Sequence, residues 1–189
     1  MPETEPKKNG PLDPDSYSRD VVEHLARSTA LKLKLIKHYR EGNMKEDTFT
    51  KLFNNITQDE TNWSTRYNEI TNEATEKISE AKIAHQTAEE AYELIEVRRA
   101  IGEASEEEYN VKLPALKWDL EHCDGVISER LGKLAYLGGL GGVLGDVELG
   151  VLRGLAGVQL NTVDALGVES EELFARVKES LYQSVKLLG

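Results

Sequence analysis

The chain has 189 residues, with 34 acidic against 23 basic residues and a formal net charge of −11 at pH 7. The length fits one domain with appendages, the acidity excludes a general nucleic-acid binder, and the single cysteine excludes an internal disulfide framework. The sequence shows neither a signal peptide nor an uncharged apolar run of membrane-spanning length, so we expect a cytoplasmic protein.

Residues 1–16 contain four of the five prolines among charged residues, which predicts a disordered tail. The next stretch, 17–40, has a helical stripe of apolar residues and becomes basic towards its end. Two interpretations of Lys32, Lys34 and Lys37 stay open. They contact a membrane or partner surface, or they are cations at a helix C-terminus that face the acidic second helix.

The stretch from Asn43 to Ala100 contains neither glycine nor proline, and apolar residues recur in it at alternating steps of four and three. A 3.5-residue period held over roughly six heptads is typical of a long coiled-coil helix. Such a helix would be on the order of 80 Å long. Its predicted seam consists of Phe49, Phe53, Ile56, Trp63, Tyr67, Ile70, Ala81, Ala84, Ala88, Ala91 and Ile95.

Two glycines flank this helix, and the sequences that follow them are alike. Gly42 and Gly102 are each followed by acids four and five positions later and by an aromatic residue seven positions later. A glycine with positive φ ends one helix, and acids favour the start of the next. Ser105 opens a Ser-x-x-Glu capping box before a third helix. The pattern predicts two antiparallel helical hairpins that share the long helix, in an all-α fold.

The third helix repeats the four-three spacing and is expected to cover the second half of the long helix. Its seam residues would pack large side chains against the alanine row, and they are Leu113, Leu116, Leu120 and Ile127. Pro114 should kink this helix or mark a restart, because it removes a hydrogen bond and clashes with the preceding turn. Residues 17–137 are therefore predicted to form one helical coiled-coil domain.

Residues 138–168 interleave glycine with leucine and valine. Three interpretations stay open for them: an interfacial membrane element, a tight self-association segment, or a mobile linker of low helix propensity. Residues 169–189 predict a short amphipathic helix that docks on the hairpins or binds a partner. The apolar residues expected to contact a membrane or partner are Leu140, Leu144, Leu173, Phe174 and Leu181.

One acidic pattern resembles the motif of the all-α nucleoside triphosphate pyrophosphatases, in which carboxylates on antiparallel helices hold Mg²⁺. Glu89, Glu90 and Glu93 on the long helix are followed by Glu121 and Asp124 on the third. A glutamate-rich helix also produces this spacing by chance, and these side chains flank the apolar seam as solvated charges do. We predict no metal, cofactor or catalytic residue, and the pyrophosphatase stays an alternative.

The sustained heptads favour a non-enzymatic scaffold that forms homo-oligomers and binds partner proteins. The basic first helix and the acidic later chain leave a related alternative, an ESCRT-III-like membrane-remodelling protein.

The stretch Leu-Ile-Glu-Val-Arg-Arg-Ala-Ile-Gly-Glu-Ala-Ser-Glu-Glu-Glu-Tyr, residues 94–109, resembles the turn in archaeal CdvA-like coiled-coil proteins. The likeness covers about residues 20–137. It implies a filament-forming or scaffold protein of archaeal cell division that associates with the inner face of the membrane and recruits ESCRT-III-like partners. The sequence departs from the family in two ways. A Pro-rich tail stands where the family has a β domain, and the Gly-rich region does not match the family's partner-binding segment.

Overall fold

In a computed structural model that describes residues 15–189, the chain is built from helices. The α-helices are α1 (Ser16–Arg40), α2 (Glu46–Ala100), α3 (Glu106–Leu137), α4 (Asp146–Asn161) and α5 (Glu171–Leu188). Short 3₁₀ helices lie at Leu140–Gly142 and Val163–Ala165. The described residues contain no strand, so the predicted all-α class is confirmed. The predicted disordered tail lies outside the described residues, apart from Asp15 and Ser16 at the start of α1.

The two turns predicted at Gly42 and Gly102 are present and have the same backbone geometry. The two glycines have φ angles of 76° and 79°, in the left-handed region that L side chains rarely adopt. In each turn, the next N–H, of Asn43 or Glu103, bonds to the carbonyl oxygen five residues earlier. This Schellman arrangement satisfies carbonyl groups that a helix end would otherwise leave without partners.

Side-chain caps fix the starts of three helices. At the start of α1, a carboxylate oxygen of Asp15 accepts a hydrogen bond from Ser18 N at 2.8 Å. At the start of α3, Ser105 Oγ accepts one from Glu108 N at 3.1 Å. At the start of α5, Ser170 Oγ accepts one from Leu173 N at 3.2 Å. Each cap satisfies a backbone donor that the first helical turn cannot pair internally. The predicted capping role of Ser105 is therefore confirmed.

The described chain divides into two compact units, and α2 contributes to both. The hairpin unit comprises residues 71–135, from the second part of α2 and α3. The core unit comprises residues 15–70 and 136–189, from α1, the first part of α2, α4 and α5. This division differs from the predicted one, in which 17–137 forms a single domain, because the C-terminal segments pack against α1.

The core unit contains the main hydrophobic cluster. In it, α1 and the first part of α2 form an antiparallel pair, since Tyr39 stacks on Phe49 near the turn and His24 stacks on Trp63 farther away. The buried seam residues of this part of α2 are Phe49, Phe53 and Ile70, and the half-buried ones are Ile56, Trp63 and Tyr67. This part of the predicted seam therefore faces the interior.

The Gly-rich segment is a helical part of the core unit. Its helix α4 contacts α1 and α5. Gln159 Nε2 donates to Leu33 O at 3.0 Å, and Arg153 Nε donates to Leu188 O at 2.9 Å. Tertiary packing overrides the low helix propensity of glycine here, so the mobile-linker interpretation is wrong.

Most of the residues predicted to contact a membrane or partner are buried in the core unit instead. The buried ones are Lys32, Leu140, Leu144, Leu173 and Leu181. Phe174 is half-buried, and Lys34 and Lys37 are exposed. The prediction is wrong for the buried residues, because the leucines pack into the hydrophobic cluster of the core unit and Lys32 pairs with Glu60. Among the helices of residues 15–189, none combines the length and the apolar character that crossing a bilayer requires.

In the hairpin unit, the second part of α2 and α3 run antiparallel. Arg98 contacts Glu108 close to the turn, and His85 contacts Asp124 farther along both arms. The helix α3 contains Pro114 without a break between Glu106 and Leu137, so the predicted restart does not occur.

The interior of the hairpin unit consists mainly of small side chains. The buried residues are Ala74, Ile78, Ala81, Ala88, Ile95, Ala104 and Cys123. The other predicted seam residues are half-buried, namely Ala91, Leu113, Leu116, Leu120 and Ile127. Ala84 is exposed, contrary to prediction, because a straight α-helix drifts against a 3.5-residue repeat and turns this position to the flank of the seam.

Candidate functional site

One side of the hairpin unit is an open apolar groove. Two adjoining cavities of about 320 and 450 Å³ lie along it and share Ala91 and Leu116. The groove is open because its walls carry small side chains, which leave space between the two helices. We call this surface the alanine groove and define it by Ala84, Ala88 and Ala91 of α2 and Ala115, Leu116 and Cys123 of α3.

Large apolar side chains stand exposed along the α2 rim of the alanine groove. Ile83, Leu94 and Ile101 are 67%, 60% and 70% exposed. Leu94 lines the groove directly. The other two lie 11 residues before it and 7 residues after it, which places all three within about 20° of one direction on a helix. The spacings of 11 and 7 residues keep Ile83 and Leu94 on one side of α2, with Ile101 in the turn just after the helix, beside the stripe that faces α3.

The helix α3 also carries two exposed apolar side chains that do not line the groove, and we call them the α3 rim. Val111 and Trp118 are 69% and 62% exposed. Val111 lies one helical turn before the groove residue Ala115. Trp118 stacks on His122, which lines the groove, with ring centroids 5.0 Å apart. Exposed apolar surface that is contiguous over several hundred Å² marks interaction sites in soluble proteins.

The opposite flank of the hairpin seam is closed by polar contacts. Tyr109 OH donates to Glu96 Oε1 at 2.8 Å, and this hydrogen bond raises the pKa of the tyrosine. Farther along, His85 Nε2 lies 3.2 Å from Asp124 Oδ1. The two flanks therefore differ, since one has satisfied polar groups and the other leaves apolar groups exposed.

An ion-pair cluster joins the two helices next to the turn. Arg98 Nη1 lies 2.9 Å from Glu108 Oε1, and Lys112 Nζ lies 2.7 Å from the same oxygen. Hydrogen bonds from Lys112 and Arg98 lower the pKa of Glu108, and its carboxylate raises the pKa of Arg98. The cluster fixes the tip of the hairpin, where the groove begins.

A buried ion pair lies in the core unit, where α1, α2 and α5 meet. Lys32 Nζ is fully buried and donates to Glu60 Oε1 at 2.6 Å and to Ser180 O at 3.1 Å. Glu60 Oε2 accepts from Thr29 Oγ1 at 3.2 Å. Burial lowers the pKa of Lys32, and the charge of Glu60 partly opposes this effect. The pair agrees with the interpretation in which Lys32 faces the acidic second helix, whereas the burial of Lys32 and its partner Glu60 were not predicted.

The carboxylates of the pyrophosphatase-like pattern are not gathered around one point. His85 stands between two of them, with Nε2 3.2 Å from Asp124 Oδ1 and Nδ1 3.7 Å from Glu89 Oε2. Glu90 Oε1 accepts from Gln86 on its own helix at 2.9 Å. The other two, Glu93 and Glu121, are exposed. Within residues 15–189, no three His, Cys, Asp or Glu side chains are placed to hold a metal ion.

No protein-family model matches the chain, and neither does any curated protein or solved structure. A function is therefore assigned from the surfaces of the chain itself.

Proposed function

We propose that this chain is a non-enzymatic scaffold that self-assembles and binds partner proteins through helical surfaces. The observation that carries the proposal is the alanine groove with its exposed apolar rims. An amphipathic helix laid into such a groove would remove both the groove and the rims from water. The position of Ile83, Leu94 and Ile101 along one stripe favours a helical partner, because amphipathic helices pack along such apolar stripes.

The setting that we propose is archaeal cell division, with ESCRT-III-like proteins as partners. Its support is the resemblance of residues 94–109 to the turn of CdvA-like proteins. Leu94 in this stretch belongs to the groove, while Gly102 and Ser105 supply the positive φ and the cap on which the turn depends.

A pull-down from the native cells tests the partner proposal. The wild-type chain is expected to retain ESCRT-III-like proteins, and a Leu94→Glu, Trp118→Glu variant is expected to retain less, because two charges enter the apolar rims. The matched control is Val147→Glu, Val151→Glu, which places two charges on valines of α4 that are 82% and 64% exposed. Retention of no ESCRT-III-like protein by the wild type would contradict this part of the proposal.

A peripheral position at the inner face of the cell membrane is a further part of the proposal. It is supported by Lys34 and Lys37, which are exposed on α1, although Lys37 Nζ lies 4.0 Å from Glu41 Oε1. We expect the chain to float with anionic liposomes and a Lys34→Glu, Lys37→Glu variant to remain unbound. Equal flotation of both proteins, or of neither, would argue against membrane contact through α1.

A further inference from the structure

We infer that a second copy of this chain packs, in antiparallel orientation, on an exposed face of the core unit that α1 and α4 form together. The α1–α4 face consists of Asp20, Glu23, Lys34 and Lys37 of α1 and Val147, Val151 and Val158 of α4. The assignment rests on the proposed scaffold function, and it identifies the surface that joins the first two copies.

The charged residues of the α1–α4 face point away from α5. Lys32 Nζ of α1 donates to Ser180 O of α5 at 3.1 Å. Lys34 follows two residues later, which turns it by about 200° around the helix. The other three charged residues of the face lie within about 60° of Lys34 in the same projection. All four are exposed.

The valines of the α1–α4 face also point away from α5. Arg153 Nε of α4 donates to Leu188 O of α5 at 2.9 Å, and Val151 lies two residues earlier, about 200° away on the helix. Val147, Val151 and Val158 are 82%, 64% and 58% exposed. The helix α4 packs against α1. The valines and the charges therefore form one continuous face on the side opposite α5.

The charges on α1 form a pattern that reverses about its centre. Asp20 and Glu23 stand on one side of the midpoint between residues 28 and 29, and Lys37 and Lys34 stand at the same distances on the other side. An antiparallel second α1 centred on this midpoint brings Glu23 opposite Lys34 and Asp20 opposite Lys37, twice in each dimer. A parallel second α1 would bring acid opposite acid. Charge therefore selects the antiparallel pair.

Two further cations lie on the exposed side of α1, namely Arg19 and Arg27. In the antiparallel register they lie opposite a histidine and an alanine, so neither meets a lysine or an arginine of the second copy. Lys37 Nζ lies 4.0 Å from Glu41 Oε1, with side chains 59% and 50% exposed. The lysine therefore stays accessible to a second acid.

The valine stripe has its centre at the same height as the charge pattern. Gln159 Nε2 donates to Leu33 O at 3.0 Å, and farther along both helices Arg40 Nη1 donates to Thr162 Oγ1 at 2.5 Å, so α1 and α4 run parallel. The centre of the charge pattern lies four to five residues before Leu33. The midpoint of the last two valines lies four to five residues before Gln159. One two-fold axis therefore matches both the charges and these valines.

The centre of the valine stripe is free of bulky side chains. Gly154 lies there, between Val151 and Val158, and is exposed. An added Cβ at Gly154 would meet no atom within 4 Å, so the glycine serves no close contact inside the chain. A small residue at the centre of a helix contact lets the two backbones approach until the flanking side chains touch.

A two-fold contact closes on itself, so the α1–α4 face alone gives a dimer. Partner binding and growth beyond the dimer are left to the alanine groove. Lys34 and Lys37 face the second copy in the dimer, so a copy in the dimer does not present them to a lipid surface. Contact with a second copy and contact with anionic lipid through α1 therefore exclude each other.

Analytical ultracentrifugation of the full chain tests the contact. We expect a wild-type species of twice the 21.1 kDa chain mass, which weakens as NaCl rises from about 0.05 to 0.5 M, because ions screen exposed charge pairs. Val147→Glu, Val151→Glu should be a monomer with an unchanged circular dichroism spectrum. Leu94→Glu, Trp118→Glu should remain a dimer in dilute solution, since neither residue belongs to the α1–α4 face.

Charge reversal tests the register. The Asp20→Lys, Glu23→Lys variant has only cations at the four positions, and the Lys34→Glu, Lys37→Glu variant has only acids, so each should be a monomer. An equimolar mixture of the two should form dimers again. The variant with all four changes should also be a dimer, because every pair is reversed but still opposite in charge.

Cross-linking tests the orientation. A carbodiimide joins amines to carboxylates without a spacer. Within one copy, Glu23 and Lys34 are 11 residues and about 16 Å apart on α1, too far for such a link. We expect a Glu23–Lys34 link in the dimer, and mixed ¹⁴N- and ¹⁵N-labelled chains should show that it joins two copies. Links between copies from Lys37 to Glu41, without the Glu23–Lys34 link, would indicate a parallel pair and would overturn the antiparallel arrangement.

A monomeric wild type, or a dimer that survives Val147→Glu, Val151→Glu, would overturn the use of this face. Failure of the four-fold charge variant to form a dimer would overturn the register. A monomeric wild type that floats with anionic liposomes, while the double valine variant does not, would assign the valines to lipid instead of a second copy.

The pull-down separates a failure of the α1–α4 contact from a failure of the proposed function. A monomer that still retains ESCRT-III-like proteins removes the second copy but keeps the scaffold. A dimer that retains no such protein keeps the second copy and removes the proposed partners.

Discussion

Lys32 and Glu60 depend on each other, because each charge would lose its partner inside the core unit without the other. The lysine side chain is fully buried, whereas that of Glu60 is 16% exposed. We therefore expect Glu60→Gln, which leaves the lysine charge buried, to lower the free energy of unfolding by about 3 kcal/mol, and Lys32→Met by somewhat less. Urea denaturation followed by circular dichroism measures both changes.

The double variant Lys32→Met, Glu60→Leu serves as the control for this pair. It should recover much of the loss, since apolar side chains of similar volume often replace a buried ion pair at little cost. Lys34→Met, two positions along α1 and exposed, should change the free energy of unfolding by less than about 0.5 kcal/mol. Single variants as stable as the wild type would show that the pair does not hold α1, α2 and α5 together.

Tyr67 is expected to make stability depend on pH above 10. Its OH donates to Leu137 O within the core unit, and burial raises its pKa above the ordinary value of 10.0. The folded chain then holds the phenol proton more tightly than the unfolded chain. This contribution is complete below the unfolded pKa and is lost as the pH rises through the folded pKa.

Tyr67→Phe should therefore cost about 1 kcal/mol of unfolding free energy near neutral pH, through the lost hydrogen bond. The difference between wild type and variant should shrink as the pH rises past 10. Urea denaturation at a series of pH values measures it, with Tyr182→Phe as the control at a 53% exposed tyrosine. A difference that grows with pH would contradict the direction of the pKa shift.

At the scale of an element, the hairpin turn requires glycine at position 102. Its φ of 79° means that an alanine there is strained, although no atom lies within 4 Å of the added Cβ. We expect Gly102→Ala to lower the free energy of unfolding by about 1 kcal/mol. The matched control is Gly125→Ala inside α3, where the Cβ also meets nothing and alanine should stabilise the helix by a similar amount. Thermal unfolding should move in opposite directions for the two variants.

The glycines of α4 allow a separate prediction. At Gly150 and Gly154, an added Cβ would meet no atom within 4 Å, so neither glycine serves close packing inside the chain. Each change to alanine should raise the free energy of unfolding by about 0.5–1 kcal/mol, by improving helix propensity. If α4 mediates tight self-association, the same changes should weaken the oligomer in ultracentrifugation, which would support that interpretation of the Gly-rich segment.

At the scale of the molecule, the two units have unequal interiors. All members of the main hydrophobic cluster belong to the core unit, whereas the hairpin unit buries mostly alanine. Hydrogen exchange read by mass spectrometry should therefore find the slowest amides in α1 and α5 and faster exchange in residues 71–135 of the dilute chain. At higher protein concentration, self-assembly should slow the exchange of amides in the two helices that line the alanine groove, α3 and the second part of α2. Uniform protection of both units in the dilute chain would contradict this ranking.

The helices and the two turns could be predicted from the sequence because their signals are local. Heptad spacing, the glycines at 42 and 102, and the cap at Ser105 all act within a few residues of the chain. The packing of α4 and α5 against α1 could not be predicted, because it joins residues far apart in sequence, such as Gln159 and Leu33. The same distance hid the burial of Lys32, which donates to the carbonyl oxygen of Ser180, 148 residues away in the sequence.

The alanine groove was only partly predictable. The alanine row and the large residues of α3 are visible in the sequence, and Leu116 does lie beside Ala84, Ala88 and Ala91. Trp118, two residues after Leu116 on the same helix, is 62% exposed. A heptad pattern gives the period of a seam but leaves its exact angle on each helix undetermined. Small angular offsets therefore decide which flank closes and which stays open.

The contact between Tyr67 and Leu137 has a consequence for how this architecture can vary. This contact keeps two points of the chain close together, namely where the chain leaves the core unit and where it returns to it. The hairpin unit is thus topologically an insertion, and seven residues added to or removed from each arm would preserve its helical phase. Such matched changes would alter the length of the hairpin while sparing every residue of the core unit. Related sequences could therefore differ in the length of the hairpin unit while keeping the core unit unchanged.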